Sequence, residues 1–348
     1  MVINRPALRG GLLALLAAAL FGLSTPLVQR FGHGLGAFST AALLYAGAAF
    51  VAVWIRQPAE VEAKLQRSDL PRLMAMAGFG AVIGPVALAW GLQRTSGASA
   101  SLMLTLEALF TVALAWRLYG ESMDKRVATA MLLLLAGGMA LVVDQGLAGG
   151  AQLWGLLAVL AATAAWGLDN TLSRGVAERD PAQVVLVKSV LGASASGGLA
   201  FLFTEPLPAW TAALALLAVG AVGYGLSLRF YLLAQRAFGA ARTGSVFAFA
   251  PFIGALGAFA LGDRSMGPIM AAAGLLMLAG VVLHLFESHA HPHSHEALEH
   301  EHAHRHDDGH HLHTHDPMPE GPHSHPHRHE PMQHAHPHVP DAHHLHGH

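Results

Sequence analysis

Ten separate apolar runs, each roughly as long as the ~20 residues that cross ~30 Å of hydrocarbon, constrain this chain more than anything else in it. In lipid every backbone N–H and C=O must be bonded within the protein, so runs of this length predict transmembrane helices. They lie at Leu8 to Val28, Leu35 to Ile55, Leu73 to Leu92, Ser96 to Trp116 and Val127 to Val143. A second set lies at Gln152 to Leu172, Val184 to Thr204, Ala209 to Leu233, Phe238 to Leu261 and Pro268 to Phe286. The composition agrees: 12% of residues are charged, about half the share in soluble domains. The expected fold is therefore an all-α integral membrane bundle of ten helices.

The charges divide the chain into two materials. Met1 to Phe286 holds 18 Lys/Arg and 12 Asp/Glu, whereas Glu287 to His348 holds 2 and 10. Without cysteine, disulfides, thiolate metal sites and cysteine nucleophiles are excluded. Basic residues occur singly between apolar runs, so no stripe exists for a nucleic-acid backbone to follow. Nucleic acid is not an expected partner; the lipid bilayer is.

The basic residues also orient the bundle. With the N-terminus in the cytoplasm, Arg5, Arg9, Arg56, Lys64, Arg67, Arg72, Arg117, Lys125, Arg126, Arg174, Arg179, Arg229, Arg236 and Arg242 fall at cytoplasmic ends. Arg30, Arg94 and Arg264 fall outside. The positive-inside rule then predicts a multi-pass protein of the cell inner membrane with both termini cytoplasmic.

The two sets of five runs echo each other. At an offset of 142, Gln93, Arg94, Gly97 and Ala98 match Gln235, Arg236, Gly239 and Ala240. At 143, Leu118 to Ser122 meets Leu261 to Ser265, and at 145 Phe21 to Leu23 meets Trp166 to Leu168. Five is odd, so the second copy enters the bilayer upside down, the geometry of secondary transporters whose halves rock around a midplane site. The expected domains are one repeat over 8–144, a second over 151–286 and a tail over 287–348.

On these residues the chain resembles the drug/metabolite transporter superfamily, and within it the ten-helix exporters with two EamA domains. The resemblance rests on FGLSTP and WGLDNTLSR in the first helix of each half. It rests also on Gly97 to Ser122, with its counterpart Gly239 to Ser265, and covers about Leu8 to Leu285. Two positions depart from the family: the proline usual in the fourth helix is Ala108 in the first half, although Pro251 keeps it in the second, and the usual tryptophan of the first helix is Phe21. The resemblance implies export of a small molecule driven by an ion gradient or by exchange, without ATP, and no G-x-x-x-x-G-K-[ST] loop occurs. It leaves the substrate open.

Few groups in the spans carry chemistry. Glu107 falls mid-span, where a charge costs on the order of 2.5–3.5 kcal/mol, and is expected to face a cavity as a carboxylate for a proton or a substrate cation; the structural alternative is a hydrogen-bonded packing acid. Asp169 and Asn170 lie nearer the cytoplasmic end of the sixth run, where Lys188 enters the seventh, so Asp169 and Lys188 are expected to pair, as staple or as substrate ligands. Arg229 is a competing partner or snorkels to the headgroups. Trp90, Trp116, Trp154 and Trp210 read as interface anchors. The resemblance places Trp166 beside the central cavity, where an aromatic face holds an organic cation. Glycine clusters read as close packing, and Pro26, Pro85 and Pro251 as points where carbonyls are freed toward a cavity.

The tail holds 23 of the 25 histidines. They alternate at period two: His289, His291, His293, His295; His300, His302, His304, His306; His310, His311, His313, His315; His323, His325, His327, His329; and on from His334. Neighbouring imidazoles of a His-x-His stretch can close on one ion, and imidazole suits zinc, nickel, cobalt and copper. The composition cannot bury a core and predicts disorder without metal.

Three functions compete. The first is a secondary transporter exporting small metabolites or toxic compounds, with no required cofactor and a metal-binding tail. The second is a divalent-metal transporter for nickel, cobalt or zinc that uses the tail for capture. The third is a membrane-anchored metal buffer or sensor. An enzyme is not expected, because the spans hold neither paired metal-binding histidines nor a serine-histidine constellation.

Overall fold

The structure, a computed structural model, describes residues 5–55, 62–119, 125–176, 179–238, 240–285, 289–295, 298–304, 323–329 and 332–338. Among them, ten helices are long and apolar enough to cross a membrane. Spans 1 to 5 are Arg9–Phe31, Ala37–Trp54, Arg67–Leu92, Gly97–Leu118 and Lys125–Ala148. Spans 6 to 10 are Gly150–Ser173, Pro181–Leu202, Trp210–Gln235, Thr243–Ala260 and Pro268–Leu285.

Hydropathy marks where a helix is apolar, whereas caps set where it begins. Span 7 starts at Pro181 because Asp180 is its N-cap, its carboxylate accepting from the Ala182 amide at 2.8 Å. Span 4 starts after Ser96, whose hydroxyl accepts from the Ser99 amide at 3.0 Å. Span 3 begins at Arg67, six residues before the apolar run, because Gln66 and Asp69 form a capping box there.

The packing follows a two-fold pseudo-symmetry. Span 2 packs on span 7, span 5 on span 10, and span 4 on span 9. Span 1 packs on spans 8 and 9, while its counterpart, span 6, packs on spans 3 and 4. The seam between spans 5 and 10 shows how literal this is: a Cβ added at Gly137 would lie 2.9 Å from the Ala273 carbonyl, and one at Gly280 would lie 2.9 Å from the Ala130 carbonyl. Small residues let these backbones touch, which substitutes for a hydrophobic driving force between helices in lipid.

Regular helix fails at four places near the middle, in symmetric pairs. Spans 3 and 8 each carry a seven-residue π-helical stretch, Ala77–Ile83 and Gly220–Leu226, at an offset of 143. Spans 4 and 9 are each broken, Gly97–Met103 from Leu106–Tyr119 and Ala240–Phe247 from Ala250–Ala260. Pro251 explains the second break, since it cannot donate to the preceding turn. The first persists with Ala108 in that place. There the Thr105, Glu107 and Ala108 amides bond three residues back, at 3.0, 3.0 and 3.3 Å. Pro85 follows the π-helical stretch of span 3 after Gly84, and Pro26 lies inside a continuous helix.

Beyond the breaks, spans 4 and 9 part. Gly97–Met103 packs on Ala250–Ala260, whereas Leu106–Tyr119 turns to spans 6 and 5, and Ala240–Phe247 turns to spans 1 and 8. The divergence is on the end of the bundle where span 1 begins and span 10 ends.

In the tail, His289–His295 pairs antiparallel with Met332–His338, and Leu298–His304 with His323–His329. Period-two alternation suits extended backbone, and a two-stranded ribbon has only edge strands, where Pro292, Pro326 and Pro337 are tolerated. His306, His310, His311, His313 and His315 lie outside the described residues.

Candidate transport site

Trp166, Asp169 and Asn170 lie three and four residues apart on span 6 and so share a face. Trp166 and Asp169 are buried and Asn170 is half-buried. Trp166 is not an interface indole: its Nε1 donates to the Gly80 carbonyl at 2.9 Å, and the Tyr45 hydroxyl donates to the same oxygen. The π-helical stretch of span 3 offers Gly80 at that point. A Cβ on it would overlap the Asp169 carboxylate.

Asp169 and Lys188 meet as expected, in a buried ion pair through Oδ2 and Nζ. Stripping water from two charges costs several kcal/mol per ion, which the pairing must offset. The other oxygen, Asp169 Oδ1, is buried without a hydrogen-bond partner among the described residues. Arg229 is not what neutralises Asp169.

Glu107 stands at the restart of the broken span 4 and is half-buried. Asn170 Nδ2 donates to its Oε1 in a short hydrogen bond, a contact that spacing alone did not foresee. The Asp169–Lys188 pair is self-contained beside it. A carboxylate held by a neutral amide is left at the bundle centre. Pro251 lies directly after Ala250 in the corresponding restart of span 9 and is buried.

Sequence reading missed the aromatic half of this centre. Phe21 of span 1 contacts Trp166 edge-on, with centroids 5.6 Å apart, Tyr224 at 5.8 Å and Phe247 at 5.5 Å. Tyr45 meets Tyr224 at 5.6 Å, and Tyr231 meets Phe247 at 5.0 Å. Such pairs contribute about 0.5–1.5 kcal/mol each beyond their burial. Extending the internal repeat to spans 3 and 8 would have flagged Gly80 and Gly223, which correspond at 143.

At the opposite end, where span 1 finishes and span 10 starts, the halves are tied by carboxylates capping helices of the other half. Glu205 accepts from the Phe38 and Ser39 amides at 3.2 and 2.7 Å, and Asp263 from the Ala98 amide at 3.0 Å. Partial burial works against the Asp263 charge, but hydrogen bonds from the Ser265 hydroxyl and amide and from the Ala98 and Gly97 amides outweigh it. They hold its carboxyl below the usual carboxylate range. A lowered folded value means that the stabilisation is present above the unfolded value, about 3.9, and is lost as pH falls through the folded one. Asp263→Ala is therefore expected to lower the melting temperature at pH 7 and to matter progressively less below pH ~4; an equal penalty at both ends of a pH series of melts would contradict the cap.

Comparison with known proteins fits this architecture. The EamA-like transporter family matches residues 8–143 and again 153–286. An "Uncharacterized transporter" of Methanothermobacter thermautotrophicus is 27% identical over 239 residues, covering 66% of this chain and 68% of that protein. A solved crystal structure superposes with a TM-score of 0.57 at 21% identity, over 79% of this chain and 94% of the other, which bears on the fold alone. With the family matched separately in each five-helix half, this chain belongs to the EamA-like transporters of the drug/metabolite transporter superfamily.

Proposed function

We propose that the protein is a secondary transporter that exports small metabolites or toxic compounds across the cell inner membrane, with Glu107 as the carboxylate that binds proton or cargo in turn. The observation that carries this reading is the position of Glu107: mid-span, half-buried, at a helix break, with a neutral amide as its hydrogen-bond partner. A purely structural acid would be expected to be enclosed and compensated, as Asp169 is. The parting of spans 4 and 9 on the side of the termini supports access from that side, which the fourteen-to-three distribution of basic residues makes cytoplasmic.

The tail is a cytoplasmic appendage that binds zinc, nickel, cobalt or copper through His-x-His pairs. An organic cargo, and not the tail's metal, is the reading favoured for the helices, whose described residues include no group of three or more His, Asp or Glu placed to hold an ion. The centre offers binding groups rather than a nucleophile and base, which supports transport without catalysis.

The test is transport in proteoliposomes, with the full chain and with a chain lacking 287–348, against a panel of metabolites and divalent metals under an imposed pH gradient. Gradient-driven movement of an organic compound is expected, lost in Glu107→Gln and kept without the tail, while zinc and nickel binding goes with the tail. Glu107→Gln protein that moves the same compound with unaltered pH dependence would remove Glu107 from the mechanism. Metal flux through the tail-less body would favour the metal transporter instead.

A further inference from the structure

The two halves bring equivalent backbone to the centre and different chemistry. At an offset of 145, Phe21, Gly22, Ser24 and Thr25 of span 1 correspond to Trp166, Gly167, Asp169 and Asn170 of span 6, and Leu43 of span 2 to Lys188 of span 7. At 143, Glu107 of span 4 corresponds to Ala250 of span 9. Close approaches bear this out. A Cβ at Gly22 would strike the Ala250 carbonyl, and one at Gly167 would sit 3.4 Å from the Glu107 carbonyl. Likewise Gly80 abuts Asp169, and Gly223 abuts Ser24. Glu107, Asp169 and Lys188 thus lie on one side of the pseudo-axis, and the equivalent positions opposite them are Ala250, Ser24 and Leu43.

The charge count then narrows the cargo. Among the described residues of the centre, Lys188 pairs with Asp169, which leaves Glu107 as the carboxylate with only a neutral amide as hydrogen-bond partner. The rings continue from it. Asn170 touches Glu107, Trp166 lies one turn before Asn170, Phe21 contacts Trp166 and Phe247, and Phe247 contacts Tyr231. Of these groups Glu107, Asn170, Phe21 and Phe247 are half-buried, so they retain the accessible surface. A lone carboxylate beside aromatic faces recognises one positive charge on an apolar body. An anion would meet Glu107 as a like charge, and a hard dication would need more oxygen ligands than one carboxylate and one amide supply.

Resting on the reading of Glu107 as the transport carboxylate, we propose that the cargo is a singly charged organic cation, an aryl- or alkylammonium, with its nitrogen at Glu107 and Asn170 and its body against Phe21 and Phe247.

Equilibrium binding to the full chain in lipid nanodiscs tests this, with benzyltrimethylammonium as probe and tetramethylammonium and phenylacetate as competitors. Glu107→Gln is expected to weaken benzyltrimethylammonium at least about tenfold, and Glu107→Asp to retain most of the affinity. Phe247→Leu is expected to weaken the aryl cation a few-fold and tetramethylammonium less. Phenylacetate competing as well as tetramethylammonium, or unchanged affinity in a folded Glu107→Gln protein, would overturn the proposal. No gradient is present in this assay, so the two readings fail separately. Glu107-dependent cation binding without pH-driven flux removes the coupling and keeps the cargo class. Flux of a neutral or anionic compound with no cation binding removes the cargo class and keeps the transporter.

Discussion

Lys188→Met is expected to destabilise the bundle by about 3–5 kcal/mol, whereas the double variant Asp169→Asn/Lys188→Met is expected to recover most of that loss. The asymmetry comes from where the pair sits. Asp169 is 4% and Lys188 2% exposed, so removing the ammonium leaves a carboxylate with no water to turn to and one oxygen already without a hydrogen-bond partner. Removing both charges leaves a neutral amide and an apolar chain of similar size. Thermal unfolding in detergent followed by tryptophan fluorescence reads this directly, because Trp166 shares the helix face with Asp169. Equal losses in the single and double variants would mean that the pair contributes through packing and not through charge. The double variant also separates staple from ligand: if it is stable and still transports, Asp169 and Lys188 hold the site without touching cargo.

Much of this arrangement was legible beforehand, for identifiable reasons. Span number and inversion follow from run length and the internal repeat, because lipid allows the backbone so few solutions. The Asp169–Lys188 pair was legible because the two opposite charges lie at similar depth on consecutive spans, although Arg229 stood as a competing partner. The contact of Glu107 with Asn170 was not, since it depends on the rotation of span 6 against the lower part of span 4, which the break at Leu104 and Thr105 sets. Proline announces the break in span 9, but no residue announces the one in span 4; symmetry with the other half is its only sequence signal. Tyr45, Tyr224, Tyr231 and Phe247 escaped notice because an aromatic residue in an apolar run reads as lipid-facing or core until a partner ring is in place. The tail is the reverse case: its histidine alternation is plain from the sequence, and its backbone pairing is not.

Gly80 and Gly78 stand two residues apart in one π-helical stretch, and alanine is expected to affect them in opposite ways. At Gly78 nothing lies within 4 Å of the added Cβ, so Gly78→Ala should leave transport unchanged and firm the helix by up to ~1 kcal/mol. At Gly80 the methyl enters the space of the Asp169 carboxylate, nearest to Oδ2, the oxygen that Lys188 holds. The segment cannot simply back away, because the Gly80 carbonyl also accepts from Tyr45 and Trp166. Overpacking of this kind costs about 1–3 kcal/mol, and here it acts on the ion pair, the indole and the tyrosine at once. Gly80→Ala is therefore expected to lose most transport while retaining a folded bundle, as judged by flux and melting temperature on the same preparations. π-Helical turns occur often at functional sites, and the physical reason is visible in this one: a widened turn brings a glycine against a buried acid and a free carbonyl between two ring donors. If both alanine variants transport equally, span 3 serves the site only as scaffold, and the close approach of its backbone to Asp169 is packing.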